Sequence, residues 1–277
     1  MIVFPNAKIN LGLSIVRKRL DGYHDLETVF YPIELSDILE ILPTTNKDEE
    51  FRFESLGNNI DCDIENNLVV KAYRKVQNLY NIPSVEMILR KIIPSGAGLG
   101  GGSSDATFTV LALNDIFNLN MTKETAIKIT SELGSDCPFF CLNEAIYAQG
   151  TGNIFTKINC DLSDYKIVVV KPDIFVSTKD AFSNIIPQEK ESSVKDIIEN
   201  CPVEKWRYNL FNDFEKSVFA KYPQIETVKN KLYEIGAVYS SMSGSGASVY
   251  GIFKNIDQQT EKEINIQFKD CFVWIQQ

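Results

Sequence analysis

Five glycines fall within positions 96–102 of one segment, PSGAGLGGGSS, which runs from Pro94 to Ser104. An apolar strand pattern, Val85 to Leu89, precedes it, and apolar residues at helical spacing, through Leu113 and Phe117, follow it. Glycine lets the backbone take positive φ and approach a ligand closely. The first N–H groups of the next helix lack intrahelical acceptors and sit at the positive end of its dipole. Strand, glycine loop and helix start together form an anion cradle. The segment lacks the glycine-lysine-serine ending of a Walker A loop, and its extra glycines do not fit the dinucleotide fingerprint. A flexible surface linker would not be bracketed so tightly. The hydroxyls of Ser103 and Ser104 can cap the helix, meet a phosphate oxygen or hold a Mg2+ that bridges phosphates.

The remaining pattern is that of an α+β chain. Short apolar runs at Ile2 to Phe4, Ile9 to Val16, Thr28 to Ile33, Ile38 to Leu42 and Phe51 to Phe53 predict strands. Leu68 to Tyr80 predicts a helix, and Thr122 with Thr125 opens another that ends before Gly134. Asp164 to Lys171, DYKIVVVK, predicts a buried strand that begins a second series of strands and helices. A boundary is therefore expected near residue 160, giving domains 1–160 and 161–277. Residues 186–193, IPQEKESS, have the composition of a solvated surface loop. A formal charge of −9 speaks against non-specific binding to nucleic acid or an anionic membrane, so any anionic ligand must be held by local donors. The six cysteines have neither paired metal-site spacing nor the density of a disulfide scaffold, and reduced thiols are expected. The N-terminus has no leader pattern and no long apolar run follows, so a soluble, cytoplasmic chain is expected.

Three segments together resemble the GHMP kinases, the family of galactokinase, homoserine kinase, mevalonate kinase and phosphomevalonate kinase. The glycine segment looks like the family's central motif, PNAKINLGL at Pro5 to Leu13 like its first, and MSGSGAS at Met242 to Ser248 like its third. DGYH at Asp21 to His24, GLGGGSSDA at 98–106 and GSDCPF at Gly134 to Phe139 resemble one branch most closely. That branch phosphorylates a cytidine-diphosphate-linked methylerythritol in the non-mevalonate route to isoprenoid precursors. Thr107, Ser135 and Cys137 depart from its usual residues, in ways expected to touch packing only, and 156–200 matches least. The resemblance implies a two-lobed fold, with a ribosomal-protein-S5-domain-2-like N-terminal lobe, a ferredoxin-like α/β C-terminal lobe and the active site in the cleft between them. It also implies ATP as co-substrate, with Mg2+, and transfer to the acceptor's 2-hydroxyl.

Phosphoryl transfer to an alcohol needs held phosphates, a cation to absorb charge and a group that positions or deprotonates the hydroxyl. The ATP-binding candidates are Pro94, Ser95, Gly96, Ala97, Gly98, Leu99, Gly100, Gly101, Gly102, Ser103 and Ser104, with Ser104 also the Mg2+ ligand. Asp136 leads into an apolar run, where a carboxylate needs a cationic partner, and Lys8, flanked by apolar residues, is the natural one. In this reading Asp136 accepts the hydroxyl proton and Lys8 keeps it ionised, roles the resemblance also implies; a purely structural ion pair is the alternative. The single histidine, His24, argues against a histidine-based metal site or a serine triad. The resemblance implies that Tyr23 stacks on the cytosine and His24 hydrogen-bonds it, with Phe182 as the best match for the aromatic on the other face. Asn10, two positions from Lys8 and so on the same strand face, can hydrogen-bond the acceptor's alcohols. Arg17, Lys18 and Arg19 either meet the substrate's diphosphate or form a solvated cluster, and Asn212 or Asp213 either caps a helix or lies near the cleft.

Small-molecule partners are expected, with no nucleic acid and no membrane, and the chain a monomer or homodimer. Another GHMP kinase, for homoserine or a mevalonate derivative, is the alternative enzyme, and DGYH speaks against it. A non-catalytic sensor of ATP and a metabolite is the alternative class, and the joint presence of Lys8 and Asp136 speaks against that.

Overall fold

The computed structural model describes residues 1–44, 51–58, 62–183, 185–188 and 190–276. The polypeptide forms two units that interleave along the chain: the first takes 1–8, 32–95 and 100–144, the second 9–31, 96–99 and 145–277.

In the first unit the strand Val85–Lys91 buries Val85, Met87, Leu89 and Lys91 and leaves Glu86, Ile88 and Arg90 partly or fully exposed, the two-residue period of a strand with one covered face. It pairs antiparallel with Ile38–Pro43 and parallel with Arg52–Gly57, and Ile2–Val3 extends the sheet beyond Ile38–Pro43. The helix Leu68–Tyr80 buries Val69, Ala72, Tyr73 and Val76, one stripe at helical spacing. Asn67 opens it by accepting from the Val69 N–H, and left-handed Asn81 closes it. That stripe shares a core with Leu39, Ile41, Met87 and Leu89 of the sheet and with Ala106, Val110 and Leu113 of the helix Gly101–Phe117. Each such aliphatic side chain contributes about 1.5–3 kcal/mol when fully buried, which is what seats the Gly101–Phe117 helix on the sheet. Lys123–Ser131, capped by Thr122, and Cys137–Leu142 complete the unit.

The second unit holds an antiparallel sheet in the order Tyr239–Met242, Val249–Phe253, Lys166–Pro172, Cys271–Ile275. Helices connect the first strand in sequence to the second and the third to the fourth, which is the ferredoxin-like arrangement. Phe214, Val218, Ile225, Leu232 and Ile264 from those helices meet Val168, Val170, Val249 and Phe253 in its core. A further sheet runs Asn6–Lys18, His24–Ser36, Ile146–Gly150, Ile154–Lys157, its first two strands giving residues 9–31 to this unit.

The polar segment 186–193 is irregular up to the cap residue Ser193, but Lys190 is engaged, donating to Asp213 at 2.6 Å and to Ser14 at 2.9 Å; Glu189 lies outside the described residues. All six cysteines are free, and burial pushes the thiols of Cys137 and Cys160 up to about 11 and about 12. Among the described residues no helix is long and apolar enough to cross a membrane.

Candidate active site

The helix Gly101–Phe117 begins ahead of its two serines. Gly100 is the N-cap with φ of 72°, and the first intrahelical bond runs from the Ser104 N–H to the Gly100 carbonyl at 2.9 Å. The capping role open to the serines therefore belongs to Gly100, because the chain arrives with a positive φ that serine rarely adopts. The N–H groups of Gly101, Gly102 and Ser103 precede the first bond, at the positive end of the helix. Gly100 has no space for a side chain: a Cβ there would lie 3.0 Å from the Phe140 ring and 3.1 Å from Cγ of Lys8. The cradle thus abuts Lys8.

Lys8 Nζ stands 3.4 Å from Asp136 Oδ2, with the lysine side chain 4% exposed and the aspartate 32%. The carboxylate offsets the desolvation of the buried ammonium and keeps one side open to solvent. Asp136 sits in the turn before Cys137–Leu142, where the Cys137 N–H donates to the Gly134 carbonyl at 3.2 Å. Thr107 Oγ1 donates to the Cys137 carbonyl at 2.8 Å, so the glycine helix fastens the segment that carries Asp136. The departure at Thr107, expected to touch packing only, is also a tether to the segment carrying Asp136.

A buried trio behind the cradle was not foreseen. Lys91 Nζ donates to Asp37 and, at 2.8 Å, to Asp105 Oδ2, and all three side chains are buried. Asp37 Oδ1 also accepts the N–H groups of Ile92 and Ile93, at 2.5 and 2.8 Å. Burial pushes the Asp105 carboxyl up to about 7, against the pull of Lys91 and with Asp37 adding to the rise. Burial opposes the Lys91 charge, but Asp105 and Asp37 prevail and hold its pKa above the usual lysine value. The signal was present in VEMILRK, whose alternation puts Lys91 on the same face as Val85, Met87 and Leu89.

In the second unit the third glycine motif holds residues 96–99. Gly98 has φ of 76°, and a Cβ on it would collide with the Ser243 carbonyl. Ser243 Oγ donates to the Gly98 carbonyl at 2.8 Å and the Ser248 N–H to the Ala97 carbonyl at 3.2 Å. Asn10 is buried; its N–H donates to Ser243 Oγ at 3.2 Å and its amide to Thr28 Oγ1 at 3.1 Å. Asn212 donates to the carbonyls of Met242 and Gly244 at 2.8 Å each and accepts the Phe214 N–H at the start of Phe214–Lys221, which agrees with its reading as a helix-start residue.

His24 and Phe182 stack with centroids 4.8 Å apart and planes at 23°, and Phe182 meets Phe214 edge-on at 4.7 Å. Tyr23, beside the Asp21-Gly22 turn, is 67% exposed. Desolvation, with Lys18 adding to it, holds His24 below the usual histidine range. Arg17 and Arg19 are paired with Asp25 and Asp21 at the surface. Among the described residues no group of three or more His, Cys, Asp or Glu side chains could hold a metal. Ser104 Oγ is buried with no hydrogen-bond partner, and such an oxygen suits Mg2+ only as a lone protein ligand beside phosphate oxygens and water.

A glycine cradle at a helix start, abutting a lysine–aspartate pair, on this fold defines a small-molecule kinase. Residues 67–144 match the sequence family "GHMP kinases N terminal domain" and 197–269 match "GHMP kinases C terminal". The chain belongs to the GHMP kinases and has their two-lobed fold. Its place within them is with the 4-diphosphocytidyl-2-C-methyl-D-erythritol kinases: it is 50% identical to the enzyme of that name from Bacteroides fragilis over 98% of both chains. The kinase of that name from Bacteroides thetaiotaomicron is 52% identical over 92% of both. A crystal structure of 4-(cytidine 5'-diphospho)-2C-methyl-D-erythritol kinase superposes with a TM-score of 0.84 at 27% identity, covering 99% of this chain and 98% of that one. A mevalonate kinase, at 15% identity and TM-score 0.69 over 99% of this chain and 98% of that one, shares the fold.

Proposed function

We propose that this chain transfers the terminal phosphoryl group of ATP to the 2-hydroxyl of 4-diphosphocytidyl-2-C-methyl-D-erythritol, with Asp136 as the base and Lys8 as its partner. The observation that carries the chemistry is the Lys8–Asp136 pair at 3.4 Å, set against Gly100 at the start of the cradle; the full-length likeness to kinases of that name carries the acceptor. Residues 94–104 hold the phosphates, chiefly through backbone N–H groups. The half-open Asp136 takes the proton as the alcohol oxygen bonds to the γ-phosphorus and the bond from that phosphorus to the β,γ-bridging oxygen breaks, releasing ADP. Lys8 offsets charge on the attacking oxygen. Ser104 is proposed as the protein ligand of Mg2+, which when bound neutralises charge shared by the β- and γ-phosphates.

Tyr23, His24 and Phe182 are proposed to receive the cytosine, and Asn10, its amide oriented by Thr28, to contact the acceptor's alcohols. The division into domains 1–160 and 161–277 stands as a proposal: the family matches ending at 144 and beginning at 197 support a boundary between them, while the compact units place 9–31, 96–99 and 145–160 with the C-terminal part. The test is incubation with Mg·ATP and the cytidine-diphosphate alcohol, followed by phosphorus NMR. A new phosphomonoester signal is expected; folded protein that yields none would remove the assignment.

A further inference from the structure

The glycine loop is a mobile kind of chain held at a demanding geometry, so something must fix its ends. Residues 92–100 leave the strand Val85–Lys91 and return at the helix Gly101–Phe117, and both ends lie in the first unit. At the departing end, Asp37 accepts the N–H groups of Ile92 and Ile93. The backbone N–H of Asp37 donates to the Pro5 carbonyl at 2.9 Å, which anchors the aspartate itself. Lys91 then bridges from Asp37 to Asp105, one turn inside the helix at the returning end. A Cβ on Gly101 would come within 3.1 Å of Lys91 Nζ and 2.9 Å of Ile93, so the ammonium lies directly behind the first helical residue.

A buried trio of charges is a weak way to add stability, since apolar residues of similar volume commonly do as well or better. Its geometry here is specific to the loop. We propose that Asp37, Lys91 and Asp105 are positioning residues for ATP, clamping the two ends of the phosphate loop so that the N–H groups of residues 101–103 keep one direction. None of the three touches the reacting atoms in this scheme; they act through the backbone. The inference rests on the ATP site proposed above.

The test measures Kd for Mg·ATP by calorimetry, without the alcohol acceptor, in the wild-type chain, Asp105→Ala and Asp105→Asn. Kd reports on folded protein, so a residue that matters only for stability lowers Tm without moving it. For Asp105→Ala, Kd is expected to rise about tenfold to a hundredfold, the scale of a cradle displaced by an ångström or less. Asp105→Asn, which still offers an oxygen to Lys91, is expected to recover most of that loss. In turnover, KM for ATP should rise more than KM for the alcohol. A Kd for Asp105→Ala within about twofold of wild type, whatever its Tm, would overturn the inference, because misplacement should cost far more. If Asp105→Ala does not fold, Asp105→Ser is read by the same criterion. Wild-type protein that binds ATP but does not phosphorylate the alcohol defeats the acceptor assignment and leaves this comparison intact; wild-type protein that does not bind ATP defeats both.

Discussion

Asp136→Asn preserves the side chain's shape and removes its negative charge and basicity. Loss of a positioned general base costs about 10²–10⁴ in rate, or about 3–5 kcal/mol of barrier. The same change takes from Lys8 the carboxylate 3.4 Å away. Breaking a fully buried pair costs about 3–5 kcal/mol and an exposed one up to about 1. With Lys8 at 4% exposure and Asp136 at 32%, the pair falls between these limits, and about 2 kcal/mol is expected. For a chain of this size that is a fall in Tm of about 4–8 °C. The backbone donors of residues 101–103 do not involve Asp136, so KM for ATP should stay within about threefold while kcat falls. ADP release coupled to NADH oxidation gives both constants, and scanning fluorimetry gives Tm. A folded variant whose kcat stays within about tenfold of wild type would refute the assignment of Asp136 as the base.

Phe182→Leu removes the ring stacked on His24 and should raise KM for the cytidine-diphosphate alcohol several-fold while leaving KM for ATP unchanged; equal rises in both would show that Phe182 serves packing alone. Because His24 is held below the usual value of about 6.5, the unfolded chain takes up this proton first as pH falls, so its contribution to stability is undiminished above that pH and declines below it. Base recognition by the neutral ring should follow, with KM for the alcohol flat above the usual histidine value and climbing only as pH falls below it; a change confined to the alkaline side would contradict it. Gly98→Ala forces a non-glycine residue to φ of 76° against the Ser243 carbonyl, and a loss of about 2–4 kcal/mol in denaturant unfolding with a raised KM for ATP is expected. A silent substitution there would mean that the third motif does not hold the loop.

The features most legible in sequence were those carried by local pattern. The helix Leu68–Tyr80 has the limits expected from its apolar spacing, and Thr122 caps the helix it was expected to open. The ferredoxin-like lobe implied by the family resemblance is the sheet found in the second unit. Asp136 was recognisable as a carboxylate needing a cation because polar groups in apolar runs are costly, and Lys8 stands beside it. What was missed required partners far apart in the chain. Thr107 gains its meaning from the Cys137 carbonyl, Ser243 from that of Gly98, and Lys91 from Asp37 and Asp105, and no periodicity marks such pairs.

The amino-acid order alone determined that a glycine segment would join a strand to the start of one helix, because glycine content, strand and helix spacing are local properties that need no partner. Which glycine caps that helix, which carboxylates hold Lys91 and how the third motif grips residues 96–99 were decided only by tertiary structure. The physical reason is that charge pairing and hydrogen bonding act over a few ångströms, and the chain must fold before distant residues come within that range.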